Sequence, residues 1–493
     1  MNANAPANTS AAAPATKAAQ LHASPLVEQA IDRAVDEMRK VQAGLNAVRP
    51  ALNEAMAARY RELLAQASAV RGKGKLFFDY HGSGLGNGPF VELADGSVKM
   101  DLICGIGPMF FGHSHPDVTR IAMRAAMSDM ILQGNLQMNE DSTALSNLLV
   151  QEASRCSRLA HVFLTNSGCM ANESAIKICY QKHAPASRVI AFENCFTGRS
   201  VTMSQIGDNA GNRVGIPLST LVDYLPFFDA QRGAESTRDT LALLDRIIER
   251  YPGQHACFIF ELVQGEGGFN PAPREFFVAL MERCRKAGIA VWTDEVQTFG
   301  RTGEMFAFDL LKLGEYVDVC TIGKLSQVCA CLYTKDYNPK PGLLSGTFIG
   351  STVAIQTGHY MLSLLCQGKY YGPDGAIAHH HKRFVAGVED IATRHPEWFG
   401  AILDHHGNEM RHMKVAGGLG GMMRFTPFGG RKEPVNKFMF DLYDEGVLSF
   451  YCGHGPHHIR FLPPLGVMKL EQWDAAFEVV ERALARTAKE MKA

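Results

Sequence analysis

Between about residues 115 and 345, short apolar runs alternate with helical segments, and this alternation limits the possible folds more than any other feature of the chain. The runs are Val162-Phe163-Leu164, Val189-Ile190-Ala191-Phe192, Cys257-Phe258-Ile259-Phe260 and Ala290-Val291-Trp292. Strands that are apolar at every position bury both faces, and the intervening helices cover them. The pattern predicts an α/β architecture with a large, doubly wound, mostly parallel sheet. After about 360 the pattern changes. A long helix leads into a smaller α+β unit with strands near 421–425 and 458–462, and no internal repeat is visible.

Two of the runs end on reactive side chains. Trp292-Thr293-Asp294-Glu295-Val296-Gln297 closes one strand on two carboxylates, and Asp318-Val319-Cys320-Thr321-Ile322-Gly323-Lys324 closes another on a lysine. Ligands of open α/β sheets bind outside the carboxyl ends of the strands. An Asp and a Lys delivered there could hold a pyridoxal phosphate, the Lys as a Schiff base and the Asp keeping the pyridine nitrogen protonated. A surface ion pair would use the same two residue types, so the neighbouring stretches decide.

Those stretches suit an anionic, flat ligand. Thr165-Asn166-Ser167-Gly168-Cys169-Met170-Ala171-Asn172-Glu173 follows a strand and opens a helix expected over 171–181, where small residues let amides approach a phosphate. Asn194-Cys195-Phe196-Thr197-Gly198-Arg199-Ser200 offers a ring to stack and an arginine to clamp a carboxylate. Phe260-Glu261-Leu262-Val263-Gln264-Gly265-Glu266-Gly267-Gly268 places two acids beyond another strand. Gly346-Thr347-Phe348-Ile349-Gly350-Ser351 precedes a helix with a further hydroxyl.

Taken together, these motifs resemble the class III aminotransferases, whose fold is type I of the pyridoxal-phosphate enzymes. The resemblance runs from about Asp79 to the C-terminus and is most specific over 166–173, 261–270 and 294–303. It implies pyridoxal 5'-phosphate as cofactor, Lys324 as the Schiff-base lysine and Asp294 as the pyridinium partner. Gln297 matches the residue near the phenolic oxygen, while Val296 and Phe196 match those on the two ring faces. Ser167, Gly168 and Cys169 match the phosphate turn, and Thr347 matches a phosphate contact donated across a homodimer interface. Arg199 and Arg460 resemble the two arginines that bind substrate carboxylates, with Glu266 pairing Arg460 while an amine donor is bound. Glu261 matches a further active-site acid.

The activity implied is transfer of an amino group, from a terminal amine, to a keto acid such as 2-oxoglutarate. A racemase, epimerase or aminomutase could use the same Lys324 and Asp294. The paired Arg199 and Glu266/Arg460 favour transfer, because alternating between two substrates needs both. The chain departs from the family in places. Leu325-Ser326-Gln327-Val328-Cys329-Ala330 replaces a Gly-rich run and is similar to lysine 6-aminotransferases, and 4-aminobutyrate aminotransferases also lack that run. Thr197 stands where a His is usual.

Composition excludes several other classes. The 493 residues are 46% hydrophobic and 20% charged with a net charge of −1, so no electrostatic case exists for nucleic acid or an anionic membrane. The 12 cysteines form no CxxC framework, which suits a reducing compartment. His379-His380-His381 stands beside Lys382-Arg383 and reads as a solvated helix face rather than a metal site. No apolar run reaches membrane-spanning length, and the first 20 residues lack a secretory core, so a cytoplasmic enzyme is expected.

The remaining elements are expected as follows. Residues 1–24 form a disordered tail. Residues 25–110 form two helices, broken at Pro50, and strands that belong to the smaller domain. Residues 111–360 form the large cofactor domain and 361–493 the C-terminal small domain. Gly82, Gly84, Gly86 and Gly88 suggest a turn or mobile loop over the site, and Asp95-Gly96 a hairpin.

Overall fold

The computed structural model describes residues 16–72, 74–129, 131–132 and 136–491. A seven-stranded sheet forms its centre, in the spatial order Leu159–Thr165, Cys329–Thr334, Val319–Ile322, Ala290–Glu295, His255–Phe260, Arg188–Phe192, Leu221–Leu225. The four pairings from Val319–Ile322 outward to Leu221–Leu225 are parallel. Every residue of His255–Phe260 and of Ala290–Glu295 is buried, as a strand covered on both faces requires.

Cys329–Thr334 is the exception, lying antiparallel to both of its neighbours. Its reason is the length of the connection. Only a 3-10 turn over Lys324–Ser326 and a short bend separate it from Val319–Ile322, far less chain than a parallel crossover needs. The lysine therefore sits where the chain reverses at the carboxyl end of the sheet, and its φ is +54°, in the left-handed region.

Two four-stranded sheets complete the frame. Gly82–Asn87, Phe90–Leu93 and Val98–Asp101 form a meander that continues onto Val447–Leu448, so segments far apart in sequence share one sheet. The hairpin at Asp95-Gly96 is present. The C-terminal sheet runs Ala416–Leu419, Met422–Phe425, His458–Phe461, Phe450–Cys452, all antiparallel. One face packs Phe425 and Phe461 with Phe384 and Trp473 from the helices Ala376–Arg394 and Gln472–Glu490.

Three expectations change. Gly82–Asn87 is a strand, not a loop. Its glycines permit close packing: a Cβ on Gly86 would lie 2.6 Å from the Phe90 carbonyl oxygen and 2.4 Å from His113 Cβ. Of His379–His381 only His379 is exposed, so the tract is not solvated throughout. His380 is buried and its Nδ1 accepts the Trp473 indole N–H at 3.0 Å, while the His381 ring bonds the Gly420 carbonyl at 2.7 Å. Of the expected tail, residues 1–15 lie outside the described residues, but Lys17–His22 is helical. Thr16 caps that helix, and the His22 ring bonds Ser128 Oγ at 3.0 Å. The helices Pro25–Gln42 and Glu54–Arg71 fall on either side of Pro50.

Candidate active site

Parallel pairing in register sets Asp294 opposite Thr321 and Glu295 opposite Ile322, so Asp294 and Lys324 emerge together at the carboxyl edge. One pocket there is lined by Gly168, Cys169, Asn172, Phe196, Thr197, Gly198, Glu261, Glu266, Asp294, Val296, Gln297 and Lys324. Eleven of these come from the four stretches singled out in the sequence before the lysine. Chain segments almost 160 residues apart thus converge because each ends or follows a strand of one sheet.

Asp294 forms the floor. Its Oδ1 accepts the Val296 amide at 2.9 Å and its Oδ2 the Asn172 amide at 2.7 Å. Burial pushes this carboxyl up to about 6, against the pull of those two donors and the nearby Lys324. A cation brought to it would be strongly held, since ion pairing restores the anion. Asn172 also donates to the Thr197 carbonyl at 2.7 Å, tying the Phe196 turn to the floor. Neither role for Asn172 was foreseen, though helical spacing could have shown it. Gly168 and Asn172 are four apart in the helix Gly168–His183 and share its pocket-facing side.

Lys324 is lowered below the usual lysine range, first by burial and then by the Arg460 charge, with Glu266 and Asp294 opposing. A nucleophilic or proton-accepting amine needs this shift. Val296 packs tightly between two glycines. A Cβ on Gly168 would lie 2.6 Å from Val296 Cγ1, and one on Gly323 would lie 3.1 Å from the same atom. Glu261 is buried and accepts the amides of Phe196 at 3.1 Å and Gly265 at 2.8 Å. Burial pushes it up to about 8, with Asp294 adding to the effect. Across the pocket, Arg460 Nη2 donates to Glu266 Oε1 at 2.7 Å. Arg460 is wholly buried, with its guanidinium carbon 5.6 Å from the centre of the Phe269 ring and 5.3 Å from that of Phe450. Its Nε and Nη1 have no partner among the described residues.

Four of the expected site residues do not line the pocket, and one of them, Arg460, reaches it only through Glu266. Ser167 caps the helix Gly168–His183 by accepting the Met170 amide at 3.2 Å. Arg199 is exposed, 5.8 Å from the Phe196 ring centre. Thr347 lies exposed on a surface turn.

Over residues 71–484 the chain matches the family described as aminotransferase class-III. The chain is a class III aminotransferase. Curated relatives include a probable mitochondrial acetylornithine aminotransferase of Schizosaccharomyces pombe, 27% identical over 82% of this chain and 86% of that one. A 2-aminoadipate transaminase of Pseudomonas putida is 29% identical over 79% of this chain and 92% of that one. Among solved structures, lysine aminotransferase from M. tuberculosis superposes with a TM-score of 0.73 at 21% identity, covering 86% of this chain and 99% of that one. The aminotransferase therefore has the fold type I architecture, and its cofactor is pyridoxal phosphate.

The pocket of this aminotransferase fits that cofactor. Two buried acceptors on its wall, Asn172 Oδ1 and Gln297 Oε1, lack partners among the described residues. The free amides at the start of a sixteen-residue helix suit a phosphate. Lys324 would hold the aldehyde carbon, Asp294 the ring nitrogen, and Val296 and Phe196 the ring faces. When bound, pyridoxal phosphate supplies the electron sink for charge developing on the substrate carbon. Lys324 Nζ would then be the group to take the proton from that carbon and return it. Asn172 and the Val296 amide keep Asp294 oriented meanwhile.

Proposed function

We propose that the enzyme moves the terminal amine of an amino acid or related amine to a dicarboxylate keto acid such as 2-oxoglutarate, as a homodimer in the cytoplasm. The observation that carries this reading is the Arg460–Glu266 pair at 2.7 Å, with two further arginine nitrogens unpartnered. An arginine masked by a movable carboxylate presents a neutral wall to an amine. Unmasked, it presents a fork to a carboxylate. Glu266 is able to move: it is flanked by Gly265 and Gly267, and its side chain keeps 27% of its exposure. Arg199, exposed beside the Phe196 ring, would hold the far carboxylate of either substrate.

Thr347 would reach the phosphate of the neighbouring subunit, which explains its place on an exposed turn outside its own pocket. No helix among the described residues is long and apolar enough to cross a membrane. We divide the chain into a large unit over 111–360 and a small one built from 25–110 and 361–493, since Val98–Asp101 pairs with Val447–Leu448. A panel of amines with 2-oxoglutarate, read by stopped-flow absorbance, tests the donor class. Fast reaction with α-amines only would overturn it. Sedimentation tests assembly, where a fully active monomer is the contrary result.

A further inference from the structure

The C-terminal sheet sets Gly417, Arg424, Arg460 and Phe450 in one row across its four strands, each directly opposed to the next. Opposed residues of antiparallel strands project from the same face with Cβ atoms roughly 5 Å apart, and like charges so placed repel. Two arginines therefore share one buried face, at 7% and 0% exposure. Arg460 has its carboxylate. Arg424 has none among the described residues: its Nη1 donates to the Lys414 carbonyl at 3.4 Å and to Thr426 Oγ1 at 3.3 Å, both neutral, and its Nε is unpartnered.

The fold makes room for this side chain. A Cβ on Gly417 would lie 3.0 Å from Arg424 Cζ, so the glycine spares the guanidinium a tight contact where it rests on the edge strand. Burial lowers the pKa of Arg424, and only the Cys452 thiol pulls the other way. The other titratable groups on this face do not compensate. His458, bonded through Nδ1 to Thr426 Oγ1 at 2.8 Å, is held neutral by burial and by Arg424 itself. Glu261, which also acts on Arg460, keeps its proton at neutral pH because burial raises it to about 8. Lys324, on the far side of Arg460, adds only positive charge when protonated. The face thus carries two guanidinium groups and one carboxylate, Glu266, paired with Arg460.

An uncompensated buried cation is costly, and removing charge from such a site is often neutral or stabilising. Its retention needs a reason. We propose that Arg424 is a positioning residue for substrate choice: it leaves the face one carboxylate short, so the site accepts a substrate carboxylate at Arg460 while still holding Glu266 nearby. With an amine donor, Glu266 covers Arg460 and one positive charge stays unbalanced. With an acidic acceptor, the substrate carboxylate takes Arg460, Glu266 turns aside, and two carboxylates balance two guanidinium groups. Arg424 weights the exchange toward the acid without touching it. This deepens the function proposed above and rests on Arg460 as the substrate-carboxylate site.

The test uses the holoenzyme and glutarate, a five-carbon dicarboxylate that cannot react. Arg424→Met keeps the stem and removes the charge, while Arg424→Lys keeps the charge. Glutarate binding is measured by titration calorimetry and the two half-reactions by stopped-flow. In Arg424→Met the glutarate Kd and the 2-oxoglutarate KM should rise roughly 10-fold, the size of a through-space charge effect in a partly screened site. The terminal-amine half-reaction should be unchanged, and Arg424→Lys should restore most of the loss. Glutarate binding equal to the parent's would overturn the proposal, as would equal slowing of both half-reactions without rescue by Lys. If the Met variant does not accumulate as folded yellow enzyme, Arg424→Gln carries the same comparison. Arg460→Met, measured alongside, separates the two readings. If it weakens glutarate and Arg424→Met does not, only the present proposal fails; if neither does, the reading beneath it fails.

Discussion

The two walls of the pocket are built on opposite electrostatic plans. On the large-sheet side, Asp294 is held by two short hydrogen bonds and faces a single lysine, so acid and base are matched in number. On the small-sheet side, two guanidinium groups face one carboxylate, which pairs with Arg460 alone. The first wall is complete once a cofactor with one cationic nitrogen arrives. The second stays short of negative charge, and so can exchange one partner for another. A fixed ligand calls for balanced, rigid groups. An alternating substrate calls for a face that two different occupants can each neutralise in part.

Breaking the large-sheet wall should have the largest effect. Lys324→Ala removes both the anchor and the proton carrier, so turnover should fall on the order of 10⁴-fold or more. The purified variant should also lose its yellow colour. Borohydride labelling of some other lysine in the parent enzyme would show that the anchor is misassigned. Asp294→Asn should be milder, costing roughly 2–4 kcal/mol, or on the order of 10²–10³ in rate. The cofactor should remain bound, because the helix start at Gly168 and Cys169 is untouched. Near-parental turnover would mean that the carboxylate is not needed to hold the ring nitrogen charged.

The small-sheet wall should respond in ratio rather than in absolute rate. Glu266→Ala leaves Arg460 permanently open, so the preference between half-reactions should shift toward α-amino donors by roughly 10-fold, the worth of one well-made charge pair. Both half-reactions are measured separately; equal slowing would make Glu266 structural. The smallest effect concerns Glu261, which ties the Phe196 turn to the Gly265 turn through their amides. Its folded carboxyl holds a proton up to about 8 whereas an unfolded one loses it near the ordinary value of 4.5, so the stability it contributes is lost as pH rises between those values. In cofactor-free protein, Glu261→Gln should therefore gain Tm relative to the parent on going from pH 5 to pH 8.5, by about 2 °C. A difference in Tm that does not change with pH would mean that Glu261 is ionised throughout.

The legible part of the site was the part encoded in strand ends. Each of the stretches around Gly168, Phe196, Glu261, Asp294 and Lys324 is a local strand-then-turn signal, and one sheet brings them together. Asn172 was missed because its roles depend on where the Thr197 carbonyl and Asp294 Oδ2 fall in space. The antiparallel Cys329–Thr334 strand was missed because its direction follows from the brevity of the turn at Lys324, not from its composition. The glycines at 82–88 suggested a loop because the packing partners of Gly86, Phe90 and His113, are invisible in the local pattern.

The sequence by itself determined the layered α/β plan, the cofactor-binding edge and the chemistry available there, because apolar periodicity and strand-end polarity are properties of contiguous residues. Only the tertiary structure decided which charges share a face. Arg424 lies in Gly421-Met422-Met423-Arg424-Phe425, a strand legible in the sequence, but nothing near it in the chain suggests Arg460, 36 positions on. Antiparallel register places them directly opposite one another, and burial away from water turns that neighbourhood into an energetic fact. Charge balance is a sum over space, and a chain reports it only after it has folded.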